Sequence, residues 1–432
     1  MMPSGGEGAA RPRVFLFLQG PSSPLFVETA RILEKAGGRC IRINLNAGDW
    51  ISWRRRKAFN YRGDFAGWRA YVRLRIEAEH VTDLILHGEE RPYHRVAIEE
   101  ARRAGVAVNV VEMGYLRPDW VTLERDGLSS NSHFPTNPVH ILKAASNLPE
   151  PDWTRRYNQT FLAEALYDLA YYLPTVFLWF LYPGYRRHGL YHPLMEYAGW
   201  LKKLPASGRR TREAQGVIEE LIAGGKRFFV YPLQLQTDFQ LRAHSPFHQQ
   251  QDAIRLILRS FAEHAAPDTH LVLKLHPLDS GLVDWRAYVE HIGASCGLSP
   301  RIHLIDGGSL DRLIVASQGM VTVNSTAALS ALQAGKPVKA LGAAIYDIDG
   351  LSDQGNLDRF WLEPTQPLLE LRDAFFRLLA VAVQVRGNFC SREGARAAAA
   401  QIAERLLLRT VNLPDAYVDP PPRQRPIKLH VP

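Results

Sequence analysis

Short apolar runs alternate with amphipathic segments through residues 1–150. Each run ends in small or polar residues, a pattern typical of buried strands in a parallel sheet. The runs lie at 14–20, 40–46, 83–90 and 106–115, and the helical segment 97–105 separates the last two. This order of strand, loop, helix and strand predicts a Rossmann-like domain over 1–150, with ligands bound at the carboxyl ends of its strands.

A second alternating series begins near residue 227 and has the same character. Its predicted strands lie at 227–236, 270–277, 301–306, 319–325 and 337–341, with helices at 253–265 and 325–335. Strands that alternate with helices indicate a parallel sheet. We therefore predict an α/β fold of two Rossmann-like domains that face a cleft, the second domain covering residues 206–410.

The segment 151–205 differs from both series because it is rich in Tyr, Trp and Leu, with interspersed Arg and Lys. We interpret it as two or three helices that bridge the domains. Packing against the first domain and contact with a membrane surface both explain such a composition. Residues 411–432 form a Pro-rich tail that is either an ordered wrap or a loose end.

Composition narrows the class of protein without choosing a ligand. The 432 residues contain 52 Lys and Arg against 44 Asp and Glu, a net charge of +8 that favours acidic ligands. The basic residues are scattered, which argues against a nucleic-acid-binding protein. The three cysteines form no Cys-x-x-Cys pair, so neither a zinc site nor a disulfide framework is indicated. Without a signal-like start or a run of ~20 apolar residues, we expect a cytoplasmic protein.

Candidate chemistry concentrates at the strand ends of the second series. His276 and Pro277 directly follow a strand, where the imidazole could donate to a phosphate oxygen. Asn324, Ser325 and Thr326 lie where another strand gives way to a helix, and a helix start offers N–H groups to an anion. A structural histidine and an ordinary helix cap explain the same residues.

The predicted strand 227–236 ends in a run of polar residues. Gln234 and Gln236 alternate and so point to one face, which is unusual for a buried strand. Asp238 could be a carboxylate nucleophile or base, or it could cap the following turn. His244 and His248 come next and suit loop contacts better than metal ligation.

The first series offers fewer candidates. Gln19, Gly20, Glu112 and Arg117 lie at or near strand ends, where Glu112 is the best-placed acid and Arg117 could clamp an acidic group. The chain has no GxGxxG fingerprint, P-loop or HExxH motif, which weakens dehydrogenase, ATPase and metalloprotease interpretations. We expect no cofactor and no required metal, because we find no Asp-x-Asp pair near the predicted cleft strands.

Five segments together resemble the capsule polysaccharide biosynthesis proteins of the KpsS/KpsC type, which are bacterial β-Kdo transferases. The segments are LQGPSSPLF, GYLRPDWVTLE, VYPLQLQTDFQLRAHSPF, LKLHPLDSG and VNSTAALSALQAGKPVKALGAAIYDIDGLSDQGNLDRFW. The first of them begins at Leu18 and the last ends at Trp361. The Pro-Leu-Gln-x-Gln sequence and the single copy of the module are more similar to the KpsS branch.

The resemblance implies a GT-B-like glycosyltransferase that transfers β-Kdo from CMP-Kdo to phosphatidylglycerol or its lyso form. It implies that His276, Pro277, Ser325 and Thr326 hold the CMP phosphate, with Asn324 and Gln236 beside them. It also implies Asp238 as the nucleophile of a retaining transfer.

We assign Glu112 as base, and Gln19, Gly20, Arg117 and His244 as acceptor or sugar contacts. The alternative is a non-catalytic capsule assembly or export partner that binds the glycolipid.

A lipid acceptor without a membrane span implies an enzyme that is peripheral on the inner face of the cytoplasmic membrane. Its partners would be CMP-Kdo, the phosphatidylglycerol-type lipid, the anionic membrane surface and other capsule biosynthesis or export proteins. The segment from Tyr171 to Lys203 is the predicted membrane contact, because it combines aromatic and basic residues.

Overall fold

The computed structural model describes residues 12–53 and 57–429. Its strands are β1 Val14–Phe17, β2 Arg39–Asn44, β3 Ala58–Asn60, β4 Asp83–His87, β5 Ala107–Met113, β6 Trp120–Arg125, β7 Arg227–Pro232, β8 Thr269–Lys274, β9 Ile302–Ile305, β10 Gly319–Thr322, β11 Val338–Ala340 and β12 Gln384–Arg386.

The α-helices connect these strands and form most of the segment between the two predicted series. They are α1 Leu25–Lys35, α2 Ala47–Trp53, α3 Trp68–Ala78, α4 Pro92–Arg103, α5 Pro138–Ala144, α6 Phe161–Phe177, α7 Pro193–Lys203, α8 Ser207–Ala223, α9 Phe239–Ala243, α10 Gln250–His264, α11 Trp285–Ser295, α12 Leu310–Ala316, α13 Ala327–Gln333, α14 Leu357–Phe360, α15 Leu369–Val383 and α16 Arg392–Leu408. Short 3-10 helices lie at Ser129–Asn131, Trp179–Leu181, Leu204–Ala206 and Ser299–Arg301.

The chain folds into two compact units, each made of three segments. Unit 1 comprises Met1–Asp126, Thr154–Arg187 and Val385–Val411. Unit 2 comprises Gly127–Trp153, His188–Gln384 and Asn412–Pro432.

Unit 1 is built on a seven-stranded sheet of order β12-β6-β5-β4-β1-β2-β3. Strands β1 to β5 pair in parallel, and β6 adds antiparallel to β5. Apolar residues of the central strands, such as Phe15, Phe17, Ile85 and Val111, are buried together with one face of α1. Leu25, Ala30 and Leu33 of α1 bury that face, as expected for apolar residues at helical spacing.

Unit 2 is built on a five-stranded sheet of order β11-β10-β7-β8-β9, in which all pairs are parallel. In the central register Tyr231 of β7 lies opposite Leu273 of β8, and both are buried. Helix α10 covers this sheet with Ile254, Leu258 and Phe261. The prediction of an α/β fold with two mostly parallel sheets is therefore confirmed.

The observed units differ from the predicted division at 150, 205 and 410. Residues 127–153 lie in unit 2, where α5 packs against α15 and Phe134 meets the Phe375 ring with centroids 5.7 Å apart. Residues 385–411 lie in unit 1, because β12 joins β6 in the first sheet and α16 packs on α1. The chain returns to unit 1 once more after it completes the second sheet, a path that local patterns do not reveal.

The predicted bridge 151–205 is helical but is shared between the units. Helix α6 belongs to unit 1 and packs on α2, whereas α7 belongs to unit 2. A Cβ added to Gly199 of α7 would overlap the carbonyl oxygen of Ser280, so glycine permits that close approach. No α-helix in the described residues has the length and apolar composition needed to cross a bilayer.

The described part of the Pro-rich tail is an ordered wrap on unit 2. Val418 exchanges hydrogen bonds with His133, its N–H donating to the His133 carbonyl at 2.9 Å. The Arg423 guanidinium donates to the carbonyls of Phe134 and Ile345 at 2.6 and 2.7 Å. The Lys428 ammonium donates to the carbonyls of Ser245 and Phe247 at 3.0 and 2.6 Å. These bonds show that the described part of the tail is an ordered wrap and not a loose end.

Candidate functional site

The carboxyl edge of the unit 2 sheet gathers most of the candidate residues of the second series. Residues that follow β7, β8 and β10 emerge there side by side, because these parallel strands are neighbours in the sheet. Ligands of open α/β sheets bind at this edge. The edge is therefore the candidate site within unit 2.

His276 lies two residues beyond the end of β8 and is half-buried. The N–H of Leu278 donates to His276 Nδ1 at 3.0 Å. Since Nδ1 accepts this bond, the hydrogen of the neutral ring is on Nε2. The ring therefore presents a donor at Nε2, as binding or protonating a phosphate oxygen requires. Pro277 is exposed beside it.

Ser325 and Thr326 lie at the start of α13, both half-buried. The Ser325 hydroxyl oxygen accepts a hydrogen bond from the N–H of Ala327 at 3.2 Å, so Ser325 does act as a local cap. A hydroxyl that accepts one bond still carries a hydrogen to donate. Thr326, the N-cap of α13, makes no side-chain capping bond. Capping and anion binding are thus compatible at this helix start.

Asn324 is buried and its side chain is fully used within unit 2. Gln234 Nε2 donates to Asn324 Oδ1 at 2.9 Å, and the Asn324 N–H donates to Gln234 Oε1 at 3.1 Å. Asn324 Nδ2 donates to the carbonyls of Gln240 and His244 at 2.9 and 3.3 Å. This pair ties the end of β7 to the end of β10, so Asn324 positions the Ser325 turn rather than offering free polar atoms to a ligand.

The change Gln234→Ala tests this positioning role. It removes the hydrogen bonds that Gln234 makes to the side-chain oxygen and to the backbone N–H of the buried Asn324. Leaving these groups without partners costs about 1–3 kcal/mol of folding free energy. We expect urea denaturation to give a free energy of unfolding lower by that amount. Gln366→Ala, at an exposed position of unit 2, is the matched control and should unfold as the wild type does. Equal stability of both variants would contradict the assignment.

The predicted strand 227–236 is shorter in the structure, because β7 ends at Pro232. Gln234 and Gln236 lie in the following loop, where their bonds to other segments replace a regular strand pairing. Gln236 Oε1 accepts from the N–H of Gln250 at 2.8 Å and so helps to start α10. The side-chain oxygen of Gln236 is therefore already hydrogen-bonded within the protein. A contact between Gln236 and the sugar donor remains a prediction.

Asp238 is the N-cap of α9. Its Oδ1 accepts from the N–H of Gln240 at 2.8 Å, and Gln234 Nε2 lies 3.5 Å from its Oδ2. The capping alternative is thus observed, and the nucleophile assignment rests on the resemblance.

The expectation of a sugar or acceptor contact through His244 differs from the structure. His244 is fully buried at the end of α9, and its Nδ1 is hydrogen-bonded to Ser130 Oγ at 2.7 Å. Its carbonyl accepts from the N–H of Ala343 at 2.8 Å. The ring and backbone hold three segments of unit 2 together, so His244 acts here as a packing residue. His248, which follows it, is exposed.

A cavity of about 640 Å³ adjoins the ends of β8 and β9, and its lining carries both basic and acidic side chains. Lys203 Nζ lies 3.2 Å from Asp306 Oδ2, and Arg210 Nε lies 2.9 Å from the same oxygen. Lys274, at the end of β8, is buried, and burial lowers its pKa while Asp306 opposes that shift. No local sequence pattern singles out these residues, because Lys203 lies in the aromatic segment 151–205, and Lys274 and Asp306 are far from it along the chain.

A second cavity, of about 510 Å³, lies beyond β11 and is lined by Asp347, Asp349 and Arg423 among others. Asp347 and Asp349 form an Asp-x-Asp pair, so the expectation that no such pair lies near the predicted strands is wrong. Asp347 Oδ1 accepts from Ser352 Oγ at 3.1 Å and from Gln354 Nε2 at 3.0 Å. These bonds order the loop that follows β11.

The carboxyl edge of the unit 1 sheet carries Gln19 after β1, His87 at the end of β4 and Glu112 near the end of β5. Glu112 is half-buried, with Oε1 3.7 Å from His87 Nε2. The Val111 carbonyl lies 3.0 Å from His87 Nδ1, which places the hydrogen of the neutral ring on Nδ1. Burial lowers the pKa of His87, and Glu112 opposes this shift. Glu112 was predicted because it lies at the carboxyl end of a parallel strand. His87 meets the same condition but was not predicted from the sequence.

Gln19 is fully buried in a polar network of unit 1. Its Nε2 donates to the hydroxyls of Tyr171 and Tyr185, both at 3.2 Å. The Tyr171 hydroxyl also donates to Asp49 Oδ1 at 3.0 Å, and Arg42 forms a buried ion pair with the same oxygen at 2.6 Å. Burial raises the pKa of Tyr171 well above its usual value, so this hydroxyl remains a donor. Nothing in the local sequence linked these five residues.

Gly20 and Arg117 have different roles in unit 1. A Cβ at Gly20 would approach the Phe26 ring to 2.7 Å, so packing alone requires glycine there. Arg117 lies in the loop between β5 and β6, where burial of its guanidinium lowers its pKa and the charges of Glu164 and Glu112 oppose that shift. The structure therefore supplies a packing reason for Gly20 and leaves the ligand role of Arg117 a prediction.

Comparisons with known proteins show the family to which the chain belongs. A family model described as "Capsule polysaccharide biosynthesis protein" matches residues 82–390. The capsule polysaccharide export protein KpsS of Escherichia coli is 29% identical over 379 residues, 87% of this chain and 96% of its own. The capsule polysaccharide modification protein LipB of Neisseria meningitidis is 31% identical over 388 residues, 87% of this chain and 91% of its own.

Among solved structures, the "beta Kdo 2,7 transferase" KpsC of Thermosulfurimonas dismutans is 15% identical, with a TM-score of 0.44 and coverage of 92% of this chain and 99% of that one. The family model and the LipB relative each match most of the chain, which confirms the predicted resemblance. The chain therefore belongs to the capsule polysaccharide biosynthesis protein family.

Proposed function

We propose that the protein is a retaining glycosyltransferase that transfers β-Kdo from CMP-Kdo to phosphatidylglycerol or its lyso form. The product would be the lipid-linked starting sugar of a capsule polysaccharide. Family membership supports a role in capsule biosynthesis, and the donor, the acceptor and the stereochemistry are our inference.

One observation carries the proposal. The half-buried His276 follows β8, the Ser325 and Thr326 hydroxyls follow β10, and only β7 separates these strands in the sheet. Neighbouring strands lie about 4.8 Å apart, so the two groups emerge roughly 10 Å from each other along one edge. Side chains that extend toward each other from these two positions can converge on one phosphate. The imidazole N–H, two hydroxyls and a helix start are donors suited to a phosphate.

The proposed chemistry has two displacements. An Asp238 carboxylate oxygen bonds to the anomeric carbon C2 of Kdo as the bond from C2 to the phosphate oxygen breaks, and CMP leaves with the electron pair. His276 donates a hydrogen bond or a proton to the leaving phosphate. The acceptor hydroxyl then attacks C2, Asp238 leaves with its electron pair, and a base takes the hydroxyl proton. Glu112 of unit 1 is the proposed base.

The test is incubation of the purified protein with CMP-Kdo and a short-chain phosphatidylglycerol, read by mass spectrometry. We expect a lipid product heavier by one Kdo residue and an equal amount of CMP. NMR of the product should show the β anomer. The opposite anomer would refute the retaining mechanism. If the protein converts CMP-Kdo only to CMP and free Kdo, phosphatidylglycerol is not its acceptor.

The second candidate function is a non-catalytic partner in capsule assembly or export that binds the glycolipid. The names of the KpsS and LipB relatives, an export and a modification protein, favour keeping it. It predicts binding of the Kdo-lipid without consumption of CMP-Kdo. Calorimetric titration with CMP separates the two candidates, because only the transferase needs a CMP site.

A further inference from the structure

Helix α6 of unit 1 carries an apolar face that is turned toward solvent. Leu162, Leu166 and Phe177 are each between 57% and 67% exposed. Leu169 and Leu173 continue the same face at the three- and four-residue spacing of a helix and are half-buried. The helix has 17 residues, so this face extends for about 25 Å.

The opposite face of α6 accounts for its attachment to unit 1. Tyr171 and Thr175 are buried there, and a Cβ at Gly48 of α2 would overlap both residues. The acidic residues Glu164 and Asp168 share this inner side by their spacing from Tyr171. The polar groups of α6 therefore face the protein and its leucines face outward, the reverse of an ordinary surface helix.

Large aromatic side chains extend the apolar face beyond the end of α6. Trp179 and Phe180, in the 3-10 helix that follows, are 65% and 58% exposed. Trp50 and Ile51 are also exposed on α2, the helix that packs on α6. Exposed tryptophan and phenylalanine are typical of proteins that insert side chains at a bilayer interface.

The charged residues that follow α6 along the chain are basic. Residues 169–195 contain no Asp or Glu, and Arg186 and Arg187 follow the aromatic pair. The segment 182–186 returns to the loop after β3, where Tyr182 donates to Asn60 Oδ1 at 2.7 Å and Gly184 packs on Gly63. This contact places the segment that carries the exposed Arg186 against the loop that carries the exposed Arg62 and Asp64. An apolar face bordered by arginines complements an anionic lipid surface.

We infer that the outward face of α6, with Trp179 and Phe180, lies in the interface of an anionic bilayer. The face is defined by Leu162, Leu166, Leu169, Leu173, Phe177, Trp179 and Phe180. It overlaps the predicted membrane segment only from Leu173 to Phe180 and begins earlier, at Leu162. Tyr171 and Tyr182 of the predicted segment are buried inside unit 1. This inference rests on the proposed function in one respect: membrane binding would give the protein access to a lipid acceptor.

The test is cosedimentation of the full chain with vesicles of phosphatidylcholine, with and without phosphatidylglycerol, in the absence of CMP-Kdo. The triple variant Phe177→Ser, Trp179→Ser, Phe180→Ser should bind phosphatidylglycerol vesicles at least about ten-fold more weakly, since each side chain loses apolar burial. Arg62→Glu with Arg186→Glu should also weaken this binding and remove its salt dependence. A control triple of similarly exposed residues, Val315→Ser, Leu362→Ser and Leu369→Ser, should bind as the wild type does.

Wild-type binding by the aromatic triple variant would overturn the inference, as would equal binding of the wild type to neutral and anionic vesicles. A wild-type dimer that the triple variant converts to monomer, without vesicle binding, would assign the face to a second copy of the chain instead. Sugar transfer to a water-soluble short-chain acceptor is measured without vesicles. A failure of the membrane inference is therefore distinguishable from a failure of the proposed function.

Discussion

Replacing His276 with alanine should lower sugar transfer by about 100-fold or more while leaving the fold intact. General acid catalysis contributes a factor of this size, and loss of a charged or strong donor to the leaving phosphate acts in the same direction. The stability cost should be small, because the ring is half-buried and its Nδ1 accepts one N–H, from the exposed Leu278.

The measurement is the initial rate of CMP release at saturating CMP-Kdo, with urea denaturation of the same preparations. His291→Ala is the matched control, since His291 is exposed on α11 of the same unit and should change neither quantity. His276→Gln keeps an N–H donor without a titratable ring. Partial recovery with glutamine would assign hydrogen bonding rather than proton transfer to His276. A turnover close to that of the wild type in His276→Ala would remove this residue from the mechanism.

Replacing Asp238 with asparagine should abolish transfer, by at least about 1000-fold, without unfolding α9. Asparagine caps helices as well as aspartate does, so its Oδ1 can still accept from the Gln240 N–H. The amide cannot form the covalent bond to the sugar that double displacement requires. Asp238→Ala, by contrast, should also lose about 1 kcal/mol of stability, because the cap is lost.

The two roles of Asp238 are thus separated by comparing asparagine with alanine. Asp311→Asn, which removes an exposed carboxylate from the first turn of α12, is the control for a change in local charge. Intact-protein mass spectrometry of the wild type with CMP-Kdo alone should show a Kdo adduct that is absent from Asp238→Asn. An active Asp238→Asn enzyme, together with no adduct on the wild type, would leave Asp238 as a helix cap and nothing more.

The order of strands and helices was determined by the sequence itself. Runs rich in apolar residues mark β1, β2, β4 and β5 in unit 1 and every strand of unit 2, because a strand covered on both faces buries most of its side chains. The predicted parallel strands also place His276 and Ser325 at one sheet edge, because the carboxyl ends of parallel strands lie together. Family membership could also be predicted from individual segments, such as residues 323–361.

Only the tertiary structure decided which residues meet across long stretches of chain. Local periodicity carries no information about the return of 385–411 to the first sheet or the pairing of Gln234 with Asn324, 90 positions apart. It also cannot tell a buried aromatic residue from an exposed one when both lie in an apolar segment. Tyr171 is in the core while Phe177 faces solvent, because α2 covers one side of α6 and leaves the other side open.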